Sequence, residues 1–120
     1  MTYASEHQAT AELEWLVHLE ATPDVFPRTI PFSEIDVPDD VATENVDEAA
    51  LLAGWHGDVA QTQRIGDAWL ESGRTALLFV PSAVVPARNV LLNPAHRDAG
   101  RIRVTRTFDF PLDSRLSFRA

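Results

Sequence analysis

The sequence predicts an α+β fold, a small mixed sheet with flanking helices, in a single domain over residues 1–120. Three observations predict it. Segments of helical and strand-like spacing follow one another in the order α-β-α-β-β, which suits helices laid against a partly antiparallel sheet. The hydrophobic fraction of 45% is enough to build a core and argues against disorder. A chain of 120 residues is long enough for one such core.

The elements follow in order. Ser5 opens a predicted helix, with Gln8 three residues on in capping-box spacing. Ala9, Leu13, Leu16, Val17 and Glu20 then fall on one stripe, and the helix is expected to end near Ala21, ahead of Pro23. Residues 29–37 alternate, with Ile30 and Phe32, joined by Ile35 and Val37, turned inward as in a strand; Pro31 assigns part of it to a sheet edge. An acidic connection opens at Pro38-Asp39-Asp40, and Asp47 is placed to cap a short helix to Leu52, stopped by Gly54. A second helix is predicted over 59–72, with Ile65, Ala68, Trp69 and Ser72 on one face and Gly73 beyond its end. A strand at 75–80 and a proline-punctuated loop with a short strand follow. The last strand is predicted from Arg101 to about Phe108, with Ile102 and Val104 on a dry face against Arg101, Arg103 and Thr105 on a wet one. Residues 111–120 read as a tail.

Composition excludes several function classes. The net charge is −8, which disfavours nonspecific nucleic-acid binding. Charge is unevenly spread: residues 1–72 hold two arginines against fifteen Asp and Glu, and residues 73–120 hold eight arginines against three aspartates. There is no lysine. Arginine suits planar contact with phosphate or carboxylate, so Arg74, Arg88 or the Arg101/Arg103 pair could meet an anionic ligand. The alternative is that the two halves fold together and neutralise each other. No apolar run approaches the roughly 18 residues of a membrane span, and no secretory signal precedes the first helix. With no cysteine there is neither a disulfide framework nor thiolate chemistry, which fits a cytoplasmic protein. Histidines 7, 18, 56 and 96 have no metal-ligand spacing, so no metal is expected. No glycine-rich phosphate loop is present.

The stretch from Val80 to His96 carries the most chemistry. It sets Ser82 at the exit of a strand between Pro81 and Pro86, followed by Asn93, Pro94 and His96. Prolines that fix φ at the end of a buried strand can present polar groups rigidly. They can equally form a plain connecting loop, with Ser82 bonding local amides and Asn93 as a turn residue.

Four blocks of residues resemble the RES domain, the toxin component of a bacterial toxin–antitoxin family. They are Tyr3-Ala-Ser-Glu6 with Leu13-Glu14-Trp-Leu-Val-His-Leu19; Gly54-Trp55; Ile65-Gly-Asp-Ala-Trp-Leu70; and Val80-Pro-Ser-Ala-Val-Val-Pro86 with Leu92-Asn-Pro-Ala-His96. The resemblance implies a fold similar to ADP-ribosyltransferases and NAD as substrate rather than cofactor. It also implies a helix-turn-helix antitoxin as partner, with no direct nucleic-acid or membrane contact. Such domains usually open with a further segment holding a functional arginine. Here Tyr3 stands two residues after Met1, so the expected fold is N-terminally incomplete, and an exposed sheet edge could lead to a homodimer.

By that resemblance Glu14 and Tyr3 match the glutamate and tyrosine of the NAD site. The carboxylate would stabilise an oxocarbenium-like transition state and the ring would place the nicotinamide. Ser82 and Asn93 match residues expected to bind substrate, and His96 falls in the same motif. His18, one helical turn beyond Glu14, could orient that carboxylate or be an ordinary half-buried helix residue. The resulting expectation is cleavage of NAD at the nicotinamide–ribose bond, with phosphate as acceptor. The alternative is a catalytically inactive domain that only binds an antitoxin-like partner.

Overall fold

A computed structural model describes residues 1–19 and 26–116. Eight elements form the α+β arrangement: β1 (Thr2–Ser5), α1 (Gln8–Val17), β2 (Thr29–Asp36), β3 (Thr43–Asn45), α2 (Val59–Ser72), β4 (Leu77–Pro81), β5 (Arg88–Leu92) and β6 (Arg103–Pro111). Four strands make a mixed sheet in the order β1-β5-β4-β3, and β2 and β6 make a separate antiparallel ribbon.

α2 is where local sequence rules agree best with the fold. Asp58 accepts the Gln61 N–H at 3.0 Å, supplying one of the bonds that a helix start lacks. Gly73 closes the helix at φ +62°, a conformation that costs a side chain a steric penalty. The expected apolar face needs correcting: Trp69 is buried, but Ala68 and Ser72 are exposed, and Gln61 and Gly66 lie inward instead. The helix is also the crossover between β3 and β4, which run parallel and therefore need a long connection. Three-residue β3 was not predicted; its sequence, Thr-Glu-Asn, reads as part of the acidic connection. Asp47 does cap, accepting the Ala49 N–H at 3.1 Å, though only a single 3-10 turn (Glu48–Ala50) follows.

Trp69, Leu78 and Leu91 form the centre of the core, with Val46, Leu70 and Val80 packed around them. The Trp69 indole N–H donates to Thr75 Oγ1 at 2.9 Å, and that hydroxyl donates on to the Leu77 carbonyl at 2.9 Å. The one polar atom of a large buried ring is thus satisfied.

α1 departs from its prediction at both faces. Ser5 lies in β1, and His7 precedes the helix without a side-chain cap. The stripe Ala9, Leu13, Val17 does not make the core: Leu13 is 36% and Val17 57% exposed. Thr10 is buried and Glu14 half-buried instead, one turn apart on the side facing the sheet. The predicted end near Ala21, and Glu20 of the stripe, lie outside the described residues.

In the ribbon, Phe32 stacks on Phe108 at 5.7 Å and meets Phe110 edge-on at 6.4 Å. A bulge between Glu34 and Ile35 shifts the register, and beyond it Ile35 pairs with Val104, both exposed. The expected dry face of the last strand is not found: Val104 and Phe110 are exposed, and of its apolar residues only Phe108 is half-buried. The strand also continues through Pro111, and Leu112 is buried with its N–H bonded to the Arg28 carbonyl at 2.8 Å. The expected tail thus begins later than residue 111.

The charge halves meet. Arg74 pairs with Glu44, Arg88 with Glu6, Arg101 with Asp40 and Arg106 with Glu34, each an arginine of the second half on a carboxylate of the first. The arginines considered for an anionic ligand are largely engaged in this neutralisation. Among the described residues no helix is long and apolar enough to cross a membrane.

Candidate active site

Antiparallel pairing of β1 with β5 sets Tyr3 opposite Leu91 and Ser5 opposite Asn89. Side chains alternate along strands, so these four share one face of the sheet. α1 lies over that face and brings Glu14 down onto it. Ser82 comes from the loop just beyond β4.

The three polar groups meet at one atom. Glu14 Oε1 accepts from Ser82 Oγ at 2.6 Å and from Asn89 Nδ2 at 2.7 Å. Asn89 Oδ1 in turn accepts from Ser5 Oγ at 2.7 Å. Ser82 Oγ accepts the N–H groups of Val84 at 3.0 Å and Val85 at 3.3 Å, so its proton is available to the carboxylate. Both readings of Ser82 therefore hold together: it secures its own loop and it grips Glu14. Among the described residues no donor reaches Glu14 Oε2.

Glu14 opens onto a cavity of about 480 Å³ whose walls include Tyr3, Trp55, Ile65, Gly66 and Asn89. That volume lies in the roughly 300–1,000 Å³ range of small-molecule sites. Tyr3 is 72% exposed, free to lie against a ligand. Trp55 is buried and stacks on His56 at 4.1 Å. A second hollow of about 780 Å³ lies across the Ser82 loop and is lined by Asn45, Asp47, His56 and Arg88. Arg88 stands over the Phe79 ring at 4.6 Å and is tied to Glu6 and to Asn45 Oδ1.

Tyr3, Glu14 and Ser82 are thus brought together, whereas Asn93 is not. Asn93 is buried, and its Oδ1 accepts the Ala95 N–H at 3.0 Å while its own N–H goes to the Ala76 carbonyl. It lines a different cleft, with Arg74 and His96. Asn93 has the local turn bond that an Asn-Pro pair supports and stands apart from Glu14. His96 Nδ1 faces the Asp98 N–H at 3.0 Å, in the same turn. His18 Nδ1 sits 2.8 Å from the Glu14 backbone carbonyl, so it contacts the helix and not the carboxylate. Asn89 was missed, as was Ser5 in this role. Only strand register reveals them, because 84 residues separate the pair. Among the described residues there is no cluster of three or more His, Cys, Asp or Glu placed to hold a metal.

Comparison with known proteins decides the family. A RES domain model matches residues 1–113. The chain belongs to the RES domain family. It is 38% identical over 117 residues to Toxin Res of Pseudomonas putida, covering 97% of this chain and 79% of that one. It is 38% identical over 125 residues to the Prs ADP-ribosylating toxin of Sphingobium sp., covering 100% of this chain and 76% of the relative. Toxin Res of Photorhabdus laumondii subsp. laumondii is 34% identical over 118 residues, with 95% and 74% covered. In this RES domain, the motif blocks at residues 3–14, 54–55, 65–70 and 80–86 all contribute to one cavity, and the block at 92–96 builds a turn beside a separate cleft.

Proposed function

We propose that this chain is a toxin that breaks the nicotinamide–ribose bond of NAD. The observation that carries the reading is Glu14, held through Oε1 by Ser82 and Asn89 and lining a cavity walled largely by apolar side chains. As the bond breaks, its electron pair passes to the nicotinamide ring nitrogen, which becomes neutral. Positive charge develops on the ribose C1′ and its ring oxygen. A fixed carboxylate beside that carbon, in surroundings that screen weakly, stabilises the charge. Tyr3 at the cavity mouth offers a face for the nicotinamide ring. An oxygen of phosphate, water or an acceptor protein then bonds to C1′.

The Sphingobium relative is named for ADP-ribosylation, a transfer that would break this same bond and differ only in the acceptor. Phosphate is the acceptor proposed for this chain. NAD enters as substrate, and no cofactor is proposed. The partner proposed, on the family resemblance, is a helix-turn-helix antitoxin, in the cytoplasm.

The test is release of nicotinamide from NAD by the purified chain, with and without phosphate, beside Glu14→Gln. Turnover that requires phosphate and falls on the order of 100-fold in the variant supports the reading. Turnover indifferent to phosphate assigns water as acceptor. A folded chain that consumes no NAD with phosphate, water or an acceptor protein removes the enzymatic reading and leaves a partner-binding module.

A further inference from the structure

Glu14 is held by two donors, Ser82 and Asn89. An asparagine amide has one accepting and one donating end, and a carboxylate can only accept. Asn89 must therefore turn Nδ2 towards Glu14, where the contact is 2.7 Å, and Oδ1 away from it. Ser5 Oγ donates to that Oδ1 at 2.7 Å and so fixes the amide the same way round. Ser5 and Asn89 are register partners on adjacent strands, so the sheet itself sets their separation. From the other side, Ser82 is locked by two backbone N–H groups before it donates.

We infer that Asn89, oriented by Ser5, is a positioning residue that fixes the Glu14 carboxylate so that Oε2 faces the cavity. Asn89 also lines that cavity, so the rival role is direct contact with the ligand. The two roles differ in what they predict. A residue that acts through Glu14 is energetically coupled to it without any ligand, and it affects the reaction more than the binding of substrate. Bonds at both ends of the amide also restrict its freedom before a ligand arrives, as preorganisation requires.

Two measurements test this, and only the second rests on the NAD reading. The first is a double-mutant cycle in thermal unfolding with Glu14→Ala and Asn89→Ala. Coupling of about 4 °C or more in Tm is expected, because either single change removes the same contact. Additive shifts would overturn the inference whatever the protein's activity. Should Asn89→Ala not fold, the isosteric Asn89→Asp takes its place in the cycle. The second is steady-state kinetics of Asn89→Asp, which exchanges the donor for a repelling carboxylate at unchanged size. We expect kcat to fall on the order of 100-fold with KM for NAD within about threefold, and Ser5→Ala to move kcat the same way by less. A change confined to KM would assign Asn89 to substrate contact and overturn the positioning role. If the unchanged chain consumes no NAD, the functional reading fails while the unfolding cycle still decides the coupling.

Discussion

Ser82 Oγ lies 2.6 Å from Glu14 Oε1, joining the loop after β4 to the middle of α1 across 68 residues of sequence. The same hydroxyl receives two backbone N–H groups of its own loop, so one atom shapes the loop and holds the carboxylate. Ser82→Ala removes both at once and leaves amides without an acceptor where Ser82 is 5% exposed. Stability should fall by about 1–3 kcal/mol, the usual result of stranding buried polar groups. NAD turnover should fall further than the lost folded fraction explains. Thermal unfolding and nicotinamide release on the same preparation separate the two effects.

Tyr3 behaves differently because it is exposed and makes no contact that the fold needs. Tyr3→Ala should change stability by no more than about 0.5 kcal/mol. Its effect should fall on the ligand: lower affinity for NAD, read by calorimetry with Glu14→Gln as the inactive background. Tyr3→Phe keeps the ring and discriminates stacking from hydrogen bonding. Retained affinity assigns the role to the ring face, and a loss equal to that of alanine assigns it to the hydroxyl.

How much of this was legible in the sequence depended on whether the deciding contact was local. The bounds of α2 were legible because its stop signal, Gly73, stands directly after it in sequence, although its inward face was not. The chemical residues of β1, α1 and the Ser82 loop could be picked out by their motif wording, and the structure sets Tyr3 and Glu14 at one cavity with Ser82 bonded to Glu14. Asn89 could not be, since its importance arises from pairing with Ser5 across the sheet. Ser5 itself imitated a helix cap, with Gln8 in the right place, but its hydroxyl is turned to Asn89. The face of α1 was misjudged for a related reason. A periodic apolar stripe normally packs inward, yet here Thr10 and Glu14 face the sheet, where Ser82 and Asn89 bond to Glu14. Strand β3 escaped notice because three polar residues carry no alternation to read.

Gly66 inside α2 and Gly73 just after it should respond to alanine with opposite signs. Gly66 is inside the helix, where a β-carbon would sit 3.5 Å from Leu91 Cδ1 and 3.8 Å from Met1 Cε, ordinary contact distances. A helix-interior glycine costs roughly 0.8–1.0 kcal/mol relative to alanine, so Gly66→Ala should stabilise by up to about that amount. Gly73 has open space around it but stands at φ +62°. Gly73→Ala should destabilise by about 1 kcal/mol through backbone strain alone. Urea unfolding of both variants checks the signs, and a loss of stability in Gly66→Ala would show that the cavity wall has no room to give.

The Glu44–Arg74 pair joins β3 to the chain just past α2, with two nitrogens of Arg74 each 2.9 Å from an oxygen of Glu44. Hydrogen bonding to Arg74 is the main cause that holds the Glu44 carboxyl below its usual value; desolvation opposes it, and the charge of Arg74 adds a lesser lowering. A carboxyl whose folded pKa is depressed binds fewer protons folded than unfolded in this range, so stability rises with pH there. The contribution is complete above the unfolded glutamate pKa of about 4.3 and is lost as pH falls below it, through the lowered folded value. Both side chains reach solvent, so screening keeps the pair's contribution small at neutral pH. Arg74→Met keeps the stem and removes the partner. At pH 7 its Tm should lie slightly below that of the unchanged chain. The gap should close as the pH is lowered towards 3, and it should narrow in high salt at pH 7. A gap that stays constant from pH 7 to 3 would place the effect of Arg74 in packing and not in its charge.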